Sequence, residues 1–232
     1  MSNGSDAAKG VADFVLLDSN FDSLVGVVLE GRKVINNIQR VASLYLTKTV
    51  FSMILAAVYI FIASTYPFQP IQLSTISSLT VGIPSFFLAL RPNTAPIKGK
   101  FLKNVFEPAL ASGISVVIFT LSIEIIGNFL HWSYDEKSTV TVWLAGLVCF
   151  IALHFIARPL TWKIYLLIGS LFSLFLTIFI FFTDIFSLVN IFNFHLGIVY
   201  VPMMIVAPYV FYKLKQFFGY LLNLDLKKKK AQ

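Results

Sequence analysis

The stretch SLYLTKTVFSMILAAVYIFIA, residues 43–63, decides the fold because it is long and apolar enough to cross a lipid bilayer. An apolar α-helix needs about 20 residues to span the hydrocarbon core. The rest of the chain has the same character, with 57% hydrophobic and 12% charged residues, whereas soluble domains contain about 25% charged residues. The composition therefore predicts an integral membrane protein.

Five more apolar runs follow this stretch towards the C-terminus. They lie at 71–90, 107–129, 139–157, 164–183 and 194–212. The predicted fold class is an all-α membrane protein, a six-span transmembrane helical bundle preceded by a short cytoplasmic strand and a stalk helix. Six spans place both termini on the same side of the membrane.

The basic residues predict which side that is. Sixteen of the eighteen Lys and Arg residues lie on the side of the termini, while Lys137 lies opposite and Lys48 within a span. By the positive-inside rule the termini are cytoplasmic. The lysines at 227–230 are expected to form a solvated tail attracted to lipid headgroups. Because the charge borders the spans, we expect the lipid bilayer as a partner and no nucleic acid.

The segment VADFVLLDSNF, residues 11–21, has the pattern of a buried strand at 11–17 followed by a turn at Asp18, Ser19 and Asn20. A strand needs neighbours for its backbone hydrogen bonds, and the rest of the chain offers none. We therefore expect this segment to be the edge of a larger domain. From Asp22 the sequence is helix-compatible into the first span, which predicts a stalk about 30 Å long.

Residues 2–40, SNGSDAAKGVADFVLLDSNFDSLVGVVLEGRKVINNIQR, resemble the end of the phosphorylation domain and the stalk of P-type cation-transporting ATPases. The stretches LYLTKTV (44–50) and VGIPSFFLALRPN (81–93) resemble a bacterial branch of that family most. The resemblance implies a location in the bacterial cytoplasmic membrane and four regions. These are a remnant of the HAD-like phosphorylation domain (1–21), the stalk helix (22–42), the six-helix transmembrane domain (43–215) and a basic cytoplasmic tail (216–232).

The resemblance implies the membrane half of an ATP-driven cation transporter. The family's DKTGT phosphorylation motif does not occur in this sequence, so we expect no catalytic residue and no cofactor in this chain. ATP and Mg²⁺ are expected for the complete pump. The expected partners are the transported cation and the N-terminal catalytic and membrane portion, in the same or a separate chain. Two alternatives remain, a non-catalytic membrane subunit or scaffold that pairs with a catalytic chain, and a passive channel or carrier.

Two spans carry polar residues suited to an ion pathway. In the first, Lys48, Thr49 and Ser52 follow Tyr45 at spacings of three and four, which predicts one helical face. In the second, Ser77, Thr80 and Pro84 share a face and Gly82 loosens the helix, which predicts a break there. Proline has no N–H for the carbonyl four residues back, so the carbonyl of Thr80 is freed. Hydroxyl and carbonyl oxygens are suitable ligands for a hard cation.

Each of these assignments has a structural alternative. A lysine inside the membrane usually faces the bundle interior or water, but Lys48 could also snorkel to the nearby interface. Serine and threonine hydroxyls often bond within their own helix, and a proline kink can serve packing alone. The resemblance favours the ion pathway for Lys48, because the family's potassium and proton pumps carry a lysine in a similar LTK stretch. It favours the ion pathway for the second span, because the family places GLP beside its ion site at the position of Gly82, Ile83 and Pro84.

The identity of the metal ion stays open. Where the family's calcium pumps have acidic and amide ligands in these spans, this sequence has Thr49, Ser52, Ser77, Thr80 and Val81. The three histidines have no metal-ligand spacing, so we expect no histidine metal site. Glu107 and Glu124 are predicted to lie near the membrane interfaces, and Cys149 to be a packing residue.

Overall fold

The computed structural model describes residues 4–16, 20–62, 64–97 and 99–228, with side chains described up to residue 223. The helices are α1 (Asp6–Val11), α2 (Ser23–Ile62), α3 (Pro70–Ser77), a π-helical segment (Ser78–Gly82), α4 (Ile83–Leu90), α5 (Phe101–Phe129), α6 (Tyr134–Ile156), α7 (Trp162–Phe181) and α8 (Phe194–Lys228).

Within the described ranges, six helical segments are long and apolar enough to cross a membrane. They are α2, the continuous unit from Pro70 to Leu90, α5, α6, α7 and α8. The number and order of the predicted spans are therefore confirmed, as is the all-α membrane fold. Several helices extend beyond the predicted apolar runs, because a helix can continue past the edge of the bilayer.

The strand predicted at 11–17 is wrong where the structure describes it. Val11 ends α1, and residues 12–16 form no strand. Leu17, Asp18 and Ser19 lie outside the described residues. A strand is held by hydrogen bonds to a neighbouring strand, and the described part of the chain supplies none. Ser5 caps α1 instead, since its Oγ accepts from Ala8 N–H at 3.2 Å.

The start of α2 agrees with the predicted turn at Asn20. The Oδ1 of Asn20 accepts from Asp22 N–H at 3.0 Å, and its carbonyl accepts from Ser23 Oγ at 2.6 Å. From there α2 continues for 40 residues without a break, about 60 Å at 1.5 Å per residue. This is twice the thickness of the hydrocarbon core, about 30 Å. Its first buried residue is Gln39, so the N-terminal part projects away from the bundle.

The centre of the bundle is formed by α5 and α6, and α5 packs against α2, α6 and α8. In its most apolar 18-residue window, α6 has 78% of its residues buried, whereas α2 has 22%. Two glycines allow the close packing. A Cβ at Gly113 of α5 would lie 2.5 Å from Val50 Cγ1 of α2, and a Cβ at Gly146 of α6 would overlap the Phe175 ring of α7.

The spans alternate in direction, which gives the bundle two distinct ends. At one end Arg40 Nη2 donates to Arg158 O at 2.8 Å, and Lys215 Nζ pairs with Glu107 Oε1 at 2.6 Å. Arg91 lies there too, since its Nη1 donates to Pro159 O at 2.7 Å. We call this the basic end. The exposed part of α2 and the C-terminal part of α8 both project from it, as an even number of spans requires.

Candidate functional site

The second span is broken by a π-helical segment, Ser78–Gly82. At its end the backbone N–H of Ile83 reaches Ser78 O, five residues back. Pro84 then has no N–H to offer to the carbonyl of Thr80. Single π turns inside α-helices are frequent at functional sites. The predicted break at Gly82 and Pro84 is therefore present, and it takes the form of a widened turn.

A small cavity lies beside this break, with a volume of about 10 Å³. This is about the space that one water molecule needs. The walls come from α2, the second span and α6, and we call it the central cavity. Its lining residues are Leu44, Thr47, Lys48, Phe51, Ile76, Ser77, Thr80, Val81, Cys149 and Ala152. The structure thus brings together Lys48, Ser77 and Thr80 of the predicted residues.

The hydroxyl groups around the central cavity donate to carbonyls of their own helices. Thr80 Oγ1 donates to Ile76 O at 2.7 Å, and Ser77 Oγ donates to Leu73 O at 2.6 Å. A hydroxyl that has donated its proton still has lone pairs that accept. The lining therefore offers oxygen atoms of the kind that bind a hard cation.

Lys48 contributes a positive charge to the same lining. It lies eight residues from Arg40, about 12 Å further into the bundle along α2. None of the ion pairs found within the described ranges includes Lys48. Its half-buried side chain therefore stands beside the hydroxyls without an acidic partner from this part of the chain. An ammonium in this position can repel a cation or take the place of one.

The other predicted residues lie elsewhere. Thr49 is exposed, and its Oγ1 donates to Tyr45 O at 3.1 Å, while Tyr45 is itself 53% exposed. Ser52 is half-buried and Pro84 is buried, but neither lines the central cavity. Neighbouring residues on a helix point about 100° apart, because a turn takes 3.6 residues. That rotation places Lys48 at the cavity and Thr49 on the outer surface.

Sequence reasoning missed Thr47, which is 3% exposed. Its Oγ1 donates to Ser43 O at 2.9 Å and lies 2.8 Å from Ser112 Oγ of α5. A signal was present, since Leu44, Thr47, Phe51 and Leu55 follow the spacing of a buried helix face. All four are buried in the structure. Thr47 thus joins the cavity to the α2–α5 packing.

A second polar cluster lies at the end opposite the basic end. Lys137 Nζ pairs with Glu124 Oε1 at 2.9 Å and donates to Asn128 Oδ1 at 2.9 Å. Glu124 also accepts from Ser64 Oγ at 3.2 Å and from Tyr59 Oη at 3.4 Å. We call these five residues the Glu124 network. The predicted position of Glu124 near an interface did not reveal that it joins α2, α5 and α6.

A resident metal ion would need several ligating side chains close together. No group of three or more His, Cys, Asp or Glu residues that could hold one ion occurs among the described residues. Cys149 is buried and lines the central cavity. The oxygen atoms of the cavity are therefore the candidate ion ligands in this region.

The fold and the broken second span define a polytopic helical membrane protein. No family model matches the sequence. The chain is 33% identical over 179 residues to the probable cation-transporting ATPase exp7 of Streptococcus pneumoniae, covering 73% of this chain and 23% of that protein. It is 37% identical over 184 residues to the calcium-transporting ATPase CtpE of Mycolicibacterium smegmatis, covering 73% and 23%. This chain is a homologue of the bacterial P-type cation-transporting ATPases.

The similarity extends beyond bacteria over a shorter region. The potassium-transporting ATPase alpha chain 2 of Oryctolagus cuniculus is 41% identical over 86 residues, 37% of this chain and 8% of that protein. The chain spans about a quarter of the length of the bacterial relatives it matches. The resemblance found in the sequence is confirmed by these comparisons.

Proposed function

We propose that this chain is the membrane portion of an ATP-driven cation transporter and supplies part of its ion pathway. The observation that carries the proposal is the broken second span beside a cavity that Lys48, Ser77 and Thr80 line. Broken helices within the membrane are a recurring feature of transport sites. The homology with cation-transporting ATPases supports the same assignment.

In this proposal α2 connects the cavity to the part of the pump that uses ATP. Residues 1–21 belong to a HAD-like phosphorylation domain, 22–42 form the stalk, 43–215 the transmembrane domain and 216–232 a basic tail. The basic end faces the cytoplasm, in agreement with the positive-inside rule. ATP and Mg²⁺ act in the remaining portion, in the same or a separate chain, where an aspartyl phosphate couples hydrolysis to transport.

The charge at the central cavity constrains how a cation binds there. Among the described residues, no acidic side chain lines the central cavity, and Lys48 adds a positive charge. A bound cation therefore needs carboxylates from the remaining portion of the pump, which we expect to pack against α2 and the second span. Lys48 then stabilises the site when the cation has left, because a positive charge remains there.

Transport by the complete pump tests the proposal. ATP-dependent uptake of radioactive calcium, rubidium and sodium into inside-out vesicles identifies the ion. Ser77→Ala and Thr80→Ala each remove a lining oxygen, and we expect each to reduce transport efficiency about tenfold, equivalent to about 1.4 kcal/mol. Ser74→Ala is the matched control, since Ser74 is exposed on the same helix and also bonds to a helix carbonyl, Pro70 O, at 2.8 Å.

Three results would contradict parts of this assignment. Equal transport by Thr80→Ala and Ser74→Ala would remove the central cavity from the ion pathway. Uptake that is independent of ATP would favour a passive carrier. This chain could also co-purify with a catalytic chain in a complex that is insensitive to vanadate. If this chain then had no effect on cation flux, the result would favour a scaffold.

A further inference from the structure

A second cavity opens at the basic end of the bundle, with a volume of about 330 Å³. This lies at the lower end of the range for small-molecule sites, about 300–1,000 Å³. Its walls come from α2, α5, the end of α6, α8 and the connection that follows α4. The lining residues are Asn36, Gln39, Arg40, Ser43, Asn93, Asn104, Glu107, Pro108, Phe155, Ile156, Arg158 and Lys215. We call it the basic-end cavity.

The charged groups of this lining do not balance. Arg40, Arg158 and Lys215 are positive, and Glu107 is the one acidic residue among the described residues of the lining. Glu107 is already engaged, since its carboxylate lies 2.6 Å from Lys215 Nζ and 4.0 Å from Lys103 Nζ. The two arginines therefore face the cavity region without an acidic partner among the described residues. Such a surplus of positive charge favours an anion.

Two buried nitrogen donors in the lining also lack partners. Arg40 is 6% exposed, and its Nη1 has no hydrogen-bond partner within the described ranges, although Nη2 donates to Arg158 O. Gln39 is 9% exposed, and its Nε2 is likewise buried without a partner there. Buried polar groups in folded proteins are almost always hydrogen-bonded. Both donors belong to side chains that line the same cavity.

The remaining cations are held in place around the cavity. The guanidinium of Arg158 lies 4.8 Å from the centre of the Phe155 ring, and Lys215 Nζ lies 4.3 Å from the same centre. Cations over an aromatic face are stabilised by its electrons. Phe155 thus holds two positive groups on one wall, while the side chains of Arg40 and Gln39 form part of another.

From these observations we infer that the basic-end cavity binds a phosphate group. The planar donors of arginine match phosphate oxygens, which accept several hydrogen bonds at once. The phosphate comes from a phospholipid headgroup, since the cavity lies at an end of a membrane-spanning bundle, or from free phosphate. This inference goes beyond cation transport, because it requires neither ATP nor a transported ion.

Binding to the purified full chain in detergent tests the inference. The probes are dioctanoyl phosphatidylglycerol, inorganic phosphate, and dioctanoylglycerol, which has the acyl chains without the phosphate. We expect saturable binding of the phospholipid that raises the melting temperature, and no effect of dioctanoylglycerol. Arg40→Gln should weaken binding at least about tenfold, since it removes charge-assisted hydrogen bonds. Lys100→Gln, an exposed lysine near the same end, should change it less than twofold.

A second variant keeps the test decisive if Arg40→Gln does not fold. Gln39→Leu removes one donor and keeps the volume, so it should fold where Arg40→Gln does not, and it should weaken binding about threefold to fivefold. Competition by inorganic phosphate would assign the site to free phosphate, whereas binding of the phospholipid alone would assign it to a headgroup. Equal binding by Arg40→Gln and Lys100→Gln, or no phosphate binding by the folded chain, would overturn the inference.

Discussion

The Glu124 network and the central cavity are both polar regions within one bundle, but their charges are arranged differently. In the Glu124 network, Lys137 and Glu124 form an ion pair at 2.9 Å, and Asn128 bonds to both. At the central cavity, Lys48 has no acidic partner in the described part of the chain, and the nearby hydroxyls donate to their own helices. The first region satisfies its own charges, whereas the second leaves acceptor oxygens available.

This difference indicates two roles for polar groups in a membrane bundle. A polar network whose members all have partners rigidifies the helices that it joins. A group of acceptors beside an unpaired charge can exchange its partners at little cost. We therefore expect substitutions in the Glu124 network to change stability, and substitutions at the central cavity to change ion binding more than stability.

Removing one charge of the ion pair should have the largest effect on stability. Lys137→Met leaves Glu124, which is 8% exposed, without its opposite charge. Breaking a buried pair costs about 3–5 kcal/mol, and we expect about 3 kcal/mol because Lys137 retains some solvent contact. Thermal unfolding in detergent, followed by tryptophan fluorescence, measures the loss.

The control for this variant is a double substitution. Glu124→Leu with Lys137→Met removes both charges, so most of the stability should return. Lys100→Met, an exposed lysine at the other end, should unfold as the wild type does. If Lys137→Met and Lys100→Met unfold at the same temperature, the network does not hold the helices together.

Disturbing the contact that positions the central cavity should have the next largest effect. Gly113→Val places a side chain where Val50 of α2 already lies, since even a Cβ would be 2.5 Å from Val50 Cγ1. Overpacking of this kind costs about 1–3 kcal/mol. The same measurement of thermal unfolding applies. Gly169→Val on α7 is the matched control, because a Cβ there meets nothing within 4 Å, and an equal loss in both variants would contradict the close packing of α2 on α5.

A smaller effect is expected at Thr47. Thr47→Val keeps the shape but removes the hydroxyl that lies 2.8 Å from Ser112 Oγ. The loss of one hydrogen bond costs about 1 kcal/mol. Thr177→Val is the control, since the described bond of Thr177 is to Ser173 O of its own helix. A double-mutant cycle with Ser112→Ala measures the coupling, and a coupling near zero would show that the two hydroxyls act independently.

The smallest effect on stability is expected at Lys48, which sharpens the contrast with Lys137. Lys48→Met removes a charge that has no acidic partner among the described residues, so the free energy of unfolding should change by less than about 0.5 kcal/mol or increase. Cation affinity of the complete pump should change severalfold in the same variant. A destabilisation as large as that of Lys137→Met would mean that Lys48 is a structural charge.

The sequence predicted the number of spans and the break in the second span, because both depend on local properties. Apolar runs set the spans, while Gly82 and Pro84 set the break. It did not predict which face of α2 packs inwards, since in lipid both faces of a helix can be apolar. The spacing of Leu44, Thr47 and Phe51 does indicate the inward face, but the polarity of single residues does not. The pairing of Glu124 with Lys137 depends on how α5 and α6 meet, which a residue pattern does not contain.

The error at residues 11–16 has a related cause. An apolar run is compatible with a strand, but the strand state requires a partner along its whole length. The described residues form helices and the connections between them, and no second strand is present among them to pair with. The local pattern therefore describes a preference, and the neighbours decide whether it is realised.

Because α2 is uninterrupted, the movements of its outer and inner parts are linked in a fixed proportion. Side chains near its middle tie it to the bundle, with Asn37 Nδ2 on Ala89 O at 2.8 Å and Arg40 Nη2 on Arg158 O at 2.8 Å. If α2 pivots at Arg40, the arm out to Ser23 is about 25 Å long and the arm in to Lys48 is about 12 Å. A rigid α2 then moves about half as far at Lys48 as it does at Ser23. A displacement of about 4 Å at the outer end becomes about 2 Å beside the central cavity, which is enough to replace one set of oxygen contacts by another.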